Sequence, residues 1–270
     1  MITAFVIPVL GDCPGEALGS HLVQAGQVAR HSKHVQYYVP LNRMPHDVAR
    51  NEVMQEALDN GADVLYFIDD DTLIPKDAFR EMLTALRDHS AAVVSAHYYR
   101  RGFPYTCVWS KELDLGEGPS FYQVDASSGL HEIHTTGLGC ALIDLAFVRA
   151  HLSRPWFEML KSKRTGDTVI ADDTTFLTKV RNAGGLILGH AGIRCVHLGG
   201  RLAVCDETVD WARSQFFRPD KGIIPSSDRL LIKEKANGND WKQPSAQGGS
   251  GSARDFTQEA RASAEPAIGS

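Results

Sequence analysis

The sequence predicts an α/β protein, a single domain in which a sheet of buried strands is flanked by helices. Three observations carry this. Short apolar runs alternate with helix-length amphipathic segments through the first hundred residues. The run Val64 to Ile68 is apolar without interruption, as in a strand covered on both faces. A chain of 270 residues with 43% hydrophobic and 23% charged content is able to bury one large core.

Taken in order, Thr3 to Leu10 is the first expected strand, Glu16 to Arg30 an amphipathic helix and Val35 to Val39 a second strand. Pro45 to Asn60 predicts a helix: the proline suits its first turn, Val48, Val53, Met54, Ala57 and Leu58 form an inward stripe, and Asn60-Gly61 supplies the stop. The strand Val64 to Ile68 follows, then a helix over Pro75 to His89 and a strand over Ala91 to Ala96. From about residue 97 the pattern changes to shorter β-rich pieces at Tyr105 to Trp109, Phe121 to Val124, Glu132 to Thr136 and Gly139 to Ile143, punctuated by Gly and Pro. These are expected to elaborate the same sheet. A helix over Asp172 to Asn182 stops at Ala183-Gly184-Gly185, and Leu186 to Leu188 and Ile193 to His197 are closing strands. The domain is expected to span residues 1–235. Residues 236–270, rich in Gly, Ser, Ala, Gln and Pro, read as a disordered tail.

A formal net charge of -5 argues against broad attraction to nucleic acid or anionic membrane. The five cysteines form no CxxC pair, and their odd number suits reduced thiols in a cytoplasmic protein. The opening Met1 to Leu10 lacks a basic region and reads as a core strand in place of a signal peptide. No apolar run of membrane-spanning length occurs, so no membrane span is expected.

The chemistry concentrates where the buried strand runs into Asp69-Asp70-Asp71. Ligands of open α/β sheets bind outside the carboxyl ends of the strands, which is where these acids stand. Three adjacent carboxylates repel one another, and a cation, a helix N-terminus or a raised pKa relieves that. A helix cap needs one carboxylate and leaves two without purpose. Asp69 and Asp71 suit a hard divalent ion such as Mn2+ or Mg2+, with a substrate phosphate completing its shell.

Over roughly residues 3–200 the chain resembles the glycosyltransferases of A-type fold, in particular their family 2-like, non-processive members. Several stretches carry the resemblance in order: Phe5-Val6-Ile7-Pro8-Val9, Ala49-Arg50-Asn51, Phe67-Ile68-Asp69-Asp70-Asp71, Thr136-Gly137-Leu138-Gly139-Cys140, Pro155-Trp156-Phe157, Ala171-Asp172-Asp173-Thr174 and Cys195-Val196-His197-Leu198-Gly199. It implies a nucleotide-diphospho-sugar transferase-like (Rossmann-like) mixed sheet and transfer of a sugar from a nucleotide-diphospho-sugar donor to an acceptor hydroxyl, with inversion. Protein, glycan, lipid and modified nucleobase all offer such hydroxyls. It implies Asp71 as principal metal ligand, Asp69 on the metal or the nucleotide ribose, and His197 as imidazole ligand. Asp173 is the implied base, with Asp172 second. Arg50, Asn51 and Asp70 are placed near the nucleotide. Gly137 and Gly139 let backbone approach the sugar, and Trp156 stacks on it. Tyr98, Tyr99, Arg100 and Arg101 are candidates to line a substrate loop.

Simpler readings stand beside these: Asp172 capping its helix, and His197 as a hydrogen-bonded core residue. The nearest approach to the processive Gln-x-x-Arg-Trp motif, Gln215 to Arg218, continues with Pro219, which argues against a polymer synthase. A haloacid-dehalogenase-type phosphohydrolase also combines Asp-x-Asp with a later acidic pair, but its motif opens the first strand of the domain and wants Thr or Val where Leu73 stands. An inactive nucleotide-sugar or carbohydrate-binding protein is the non-enzymatic alternative.

Overall fold

In the computed structural model of the chain, which describes residues 1–9, 13–39, 45–102, 105–114, 119–161, 165–199 and 202–210, the early alternation forms as expected. Strand β1 (Ile2–Val6), helix α1 (Gly15–His31) and strand β2 (His34–Tyr38) make the first unit. Helix α2 (His46–Asp59) leads to β3 (Val64–Ile68), every residue of which is buried. Strand β1 pairs in parallel with β2 on one side and β3 on the other. Tyr66 shows how the core tolerates polar atoms: its ring is fully buried and its hydroxyl donates to Gln24 of α1 at 3.2 Å. Burying a side chain of that size contributes about 1.5–3 kcal/mol, provided the hydroxyl finds such a partner.

Beyond the acidic triplet, the short β4 (Thr72–Leu73) precedes α3 (Ala78–Asp88), which buries Phe79, Met82, Leu83 and Leu86. Strand β5 (Val93–His97) follows, then the hairpin β6 (Ser110–Asp114) and β7 (Pro119–Gln123), then β8 (Leu130–Glu132) and β9 (Cys140–Asp144). Helix α4 (Leu145–His151), the pair β10 (Leu160–Lys161) and β11 (Thr168–Ile170), and α5 (Asp172–Asn182) lead to β12 (Ile187–Arg194), β13 (Val196–Gly199) and β14 (Leu202–Val204).

Among the described residues the main sheet has seven strands in the order β2-β1-β3-β9-β5-β12-β8. It is mixed, because β9 runs antiparallel between β3 and β5. That insertion decides where chemistry can gather. The ends of β3, β5 and β12 and the start of β9 all lie at one edge, so Asp69, Tyr98, Cys195 and Gly139 meet there although they are scattered over the sequence.

Several local expectations differ from the structure: Phe121 to Val124 lies against β6 in a separate two-stranded sheet, only Glu132 of the segment Glu132 to Thr136 is strand, and three further differences have a visible cause. Helix α2 turns Arg50 and Asn51 inward with Val53, Met54 and Ala57, and leaves Val48 41% exposed, because the polar pair finds partners inside. The segment Tyr105 to Trp109 makes a single bridge, Tyr99 to Cys107, and then lays the Trp109 ring across the sheet, where its indole N–H donates to the Ala96 carbonyl at 3.1 Å. The two expected closing strands divide elsewhere: β12 runs on from Ile187 to Arg194, with a register shift between His190 and Arg194, and Val196 and His197 belong to β13. Gly189 sits within β12 because Trp109 occupies the space above: a Cβ there would come within 2.8 Å of the ring. The expected domain end at residue 235, the tail 236–270 and the Gln215 to Arg218 stretch lie outside the described residues.

Candidate active site

The acidic tip is clamped from both sides. The Asp69 N–H donates to the Gly139 carbonyl at 3.0 Å, holding the tip against β9. On the other side β4 pairs with β13, which sets His197 opposite Thr72, and the Leu198 N–H donates to the Asp71 carbonyl at 2.8 Å. This pairing carries His197, 126 residues later in the chain, to Asp71: Nε2 lies 3.3 Å from Oδ1. From beneath, the Cys13 thiol donates to the Asp70 carbonyl at 3.3 Å, and His21 of α1 reaches the Thr72 carbonyl at the same distance. Asp70 is half-buried in the turn itself.

The chemistry of this pair follows from the second nitrogen of His197. Nδ1 lies 2.9 Å from the Tyr99 carbonyl oxygen, which can only accept, so Nδ1 donates there and Nε2 is the nitrogen turned to Asp71: it donates to the carboxylate when the ring carries both protons and offers a lone pair to a cation when it carries one. A lone pair and a carboxylate oxygen at 3.3 Å favour a cation or a proton between them. The other oxygen of Asp71 accepts from Arg101 at 2.7 Å. Burial alone would push the Asp71 carboxyl up; the His197 contact and the Arg101 charge outweigh burial and bring it below the ordinary aspartate value.

Asp69 turns the other way. Its Oδ1 is 3.9 Å from Arg50 Nη2, and Arg50 Nη1 donates to Asp172 Oδ2 at 2.8 Å. Arg50 thus joins the acidic tip to the first turn of α5 as a buried strut. Asp172 is buried and does not cap its helix: Ala171 holds the cap position, and the Asp172 carboxylate is turned to Arg50. Asp173 accepts from the Thr174 N–H at 2.6 Å. Burial pushes its carboxyl above the usual range; Arg50 opposes this, and the neighbouring Asp172 charge adds to it.

The remaining expected residues do support work. Asn51 accepts from the Trp156 N–H at 2.8 Å and donates to the Phe157 carbonyl at 2.7 Å, so its amide fastens the 156–157 turn. Trp156 is buried, and its indole N–H meets no protein acceptor. Gly137 and Gly139 are glycines for an internal reason. A Cβ on Gly137 would lie 2.3 Å from the Tyr98 hydroxyl, and one on Gly139 would lie 2.9 Å from both that hydroxyl and Asp69 Oδ2. Tyr98, buried against the His197 ring, takes a hydrogen bond from the Gly139 N–H at 2.8 Å. The sequence named Tyr98 only as a loop candidate; its place directly after β5 was the available signal.

Among the described residues no three His, Cys, Asp or Glu side chains converge closely enough to hold an ion by themselves. The expected three-ligand set is therefore present as a pair, Asp71 and His197, with Asp69 facing Arg50. One oxygen and one imidazole nitrogen fit Mn2+ or Mg2+ when ligand phosphate and water complete the shell, the usual arrangement for such ions at nucleotides.

Residues 24–152 match the sequence model of Glycosyl transferase family 2. This span contains α2, the acidic tip and the Gly137 to Gly139 segment, and ends before α5 and His197. No curated protein sequence matches the chain. Among solved structures the fold is similar to A197 from STIV, with 20% identity and a TM-score of 0.51 over 76% of this chain and 94% of that one. It is also similar to GalNAc-T7 in a crystal structure with UDP, GalNAc and Mn2+, with 11% identity and a TM-score of 0.45 over 87% of this chain and 53% of that one. No described helix is long and apolar enough to cross a membrane.

Proposed function

We propose that this chain, whose residues 24–152 match Glycosyl transferase family 2, transfers a sugar with inversion from a nucleotide-diphospho-sugar to an acceptor hydroxyl, dependent on Mn2+ or Mg2+. The observation that carries the proposal is the meeting of Asp71 with His197 at one end of a continuous polar line that runs through Asp69 and Arg50 to Asp172 and Asp173. A divalent ion held by Asp71 and His197 supplies charge neutralisation for the departing diphosphate. Asp69 is assigned to the donor's ribose or the same ion. Asp70, half-buried in the turn, borders the nucleotide.

Asp173 serves as general base. It takes the proton from the acceptor hydroxyl while that oxygen bonds to the anomeric carbon, and the bond from that carbon to the diphosphate oxygen breaks with its electron pair leaving on the nucleoside diphosphate. Asp172 is committed to Arg50, which supports assigning the base to its neighbour. Burial raises the Asp173 carboxyl, which gives the base more affinity for the proton it must accept. Placement of the acidic triplet on the third strand of a mixed sheet favours this reading over a haloacid-dehalogenase-type hydrolase.

The test is Asp173→Asn, assayed for nucleoside diphosphate release across a panel of nucleotide sugars with Mn2+. Turnover is expected to drop by about 10²–10⁴-fold while donor still raises the melting temperature, because only the proton acceptor is lost. The acid limb of kcat/KM in the wild type is expected above the ordinary aspartate value of about 4. A variant that keeps its turnover would remove Asp173 from the role, and donors that fail to stabilise the wild type with metal would remove the transferase reading.

A further inference from the structure

The contact between Arg101 and Asp71 has no part in the scheme above, yet it joins the presumed metal ligand to a charge of the same sign as the metal. Arg101 Nη1 donates to Asp71 Oδ2 at 2.7 Å, while Oδ1 of the same carboxylate faces His197. The two partners differ in exposure: the Arg101 side chain is 58% exposed and that of Asp71 15%. An ion pair with one end in water contributes about 0–1 kcal/mol, so releasing it costs little.

The backbone that presents Arg101 is fixed where it must be and open where it need not be. The described residues 98–102 and 105–108 run alongside each other, joined by the Arg100 N–H on the Thr106 carbonyl at 2.9 Å and the Val108 N–H on the Tyr98 carbonyl at 3.1 Å. Their root is pinned through Tyr99, whose hydroxyl donates to Asp206 at 3.0 Å. Arg194 holds Asp206 in turn through Nε at 3.0 Å and also donates to the Ala126 carbonyl at 3.0 Å. The Tyr99 carbonyl is the group that sets the proton position of His197. One segment therefore aims the imidazole with a rigid root and delivers a guanidinium to the neighbouring carboxylate on a solvated side chain.

We infer that Arg101 is a cation exchanger at the donor site: it holds Asp71 while the site lacks metal, yields that carboxylate to the incoming divalent ion, and then clamps the non-bridging oxygens of the diphosphate. The inference rests on the proposed transferase reading. A guanidinium is suited to both stations, since its planar fork pairs with carboxylate and with phosphate alike. Asp71 keeps a cationic partner throughout, because one cation leaves only as another arrives. The swing needs only side-chain rotation, so the Tyr99 carbonyl keeps its hold on His197 in both stations.

The test compares the wild type and Arg101→Gln in two titrations, Mn2+ alone followed by its electron paramagnetic resonance signal, and pyrophosphate in the presence of Mn2+ followed by calorimetry. Pyrophosphate avoids any assumption about the nucleotide. Without the competing guanidinium the variant is expected to bind Mn2+ about two- to fivefold more tightly, the range an exposed ion pair allows. It is expected to bind pyrophosphate about tenfold or more weakly, as fits the loss of a hydrogen bond between charged groups. Equal or weaker Mn2+ binding by the variant, or undiminished pyrophosphate binding, would overturn the exchange. A wild type that takes up both probes, with a variant indistinguishable from it, overturns the exchange alone. A wild type that takes up neither overturns the transferase reading and the exchange together.

Discussion

Two arginine–aspartate contacts of nearly equal length sit on either side of Asp69, and they differ in almost everything but length. Arg50 and Asp172 meet at 2.8 Å with side chains 7% and 5% exposed; Arg101 and Asp71 meet at 2.7 Å with Arg101 largely in water. The first is enclosed by α2, the acidic tip and α5, and carries a buried Nε without a protein partner. The second ends a loop tip. Contact distance thus says little about what an ion pair does, and the dielectric around it says most. The buried pair fixes α5 to the acidic tip, and the exposed pair stands open to solvent.

The largest effect that would sharpen this contrast is expected from Arg50→Met. The substitution strands the Asp172 carboxylate in the interior, and breaking a buried pair in this way costs about 3–5 kcal/mol. The measurement is the urea midpoint and slope at neutral pH. Replacing both partners, as in Arg50→Met with Asp172→Leu, is expected to recover most of the loss, because no charge is then left unpaired. If the single variant loses less than about 1 kcal/mol, the Asp172 carboxylate is reached by water and the contrast with Arg101 collapses.

A smaller effect comes from the glycines between these two pairs. Gly137→Ala is expected to destabilise by about 1–3 kcal/mol, the usual range for overpacking, because its new methyl would meet the Tyr98 hydroxyl at 2.3 Å. Adding Tyr98→Phe should relieve it, since the nearest remaining ring atom is 3.3 Å away. The same rescue should be incomplete for Gly139→Ala, where Asp69 Oδ2 stays at 2.9 Å. Thermal denaturation of the four variants checks this. Equal rescue at both positions would mean that Asp69 moves aside easily and is not held between Arg50 and the tip.

Much of the framework was legible in the residues. The α/β alternation placed β1, β2, β3 and β5, and the Asp172 to Asn182 helix has the bounds its acidic start and Gly-Gly stop imply. What escaped depends on partners distant in sequence. Val48 looked like a core residue, and Arg50 was placed near the nucleotide with no buried partner foreseen, because the carboxylate that draws it inward lies 122 residues later. The gap left between Leu188 and Ile193 is strand in the structure, because nothing local reveals that Trp109 covers Gly189. Gly137 and Gly139 were legible as glycines that something approaches closely, but the approaching group is the Tyr98 hydroxyl. Asp71 and His197 came from the resemblance, and the β4–β13 pairing supplies the geometry that joins them.

The smallest effect lies at the exposed pair and tests the contrast from its weak side. Arg101→Gln is expected to change unfolding stability by less than about 1 kcal/mol, and less still near 1 M salt, where the screening length is about 3 Å. The pH dependence has a definite sign. Burial raises the Asp71 carboxyl, the His197 contact and charge lower it, Arg101 lowers it further, and the net shift is downward. A carboxyl depressed in the folded protein contributes stability that is present above its unfolded value near 4 and is lost as pH falls through the folded value. Removing Arg101 should narrow that acid window only slightly, because the His197 contact ranks above it among the lowering influences. Urea titrations of both proteins from neutral to acid pH read this directly. A salt-insensitive loss of several kcal/mol at neutral pH would make Arg101 a structural partner like Arg50, and a guanidinium held that firmly would not give way to a metal ion.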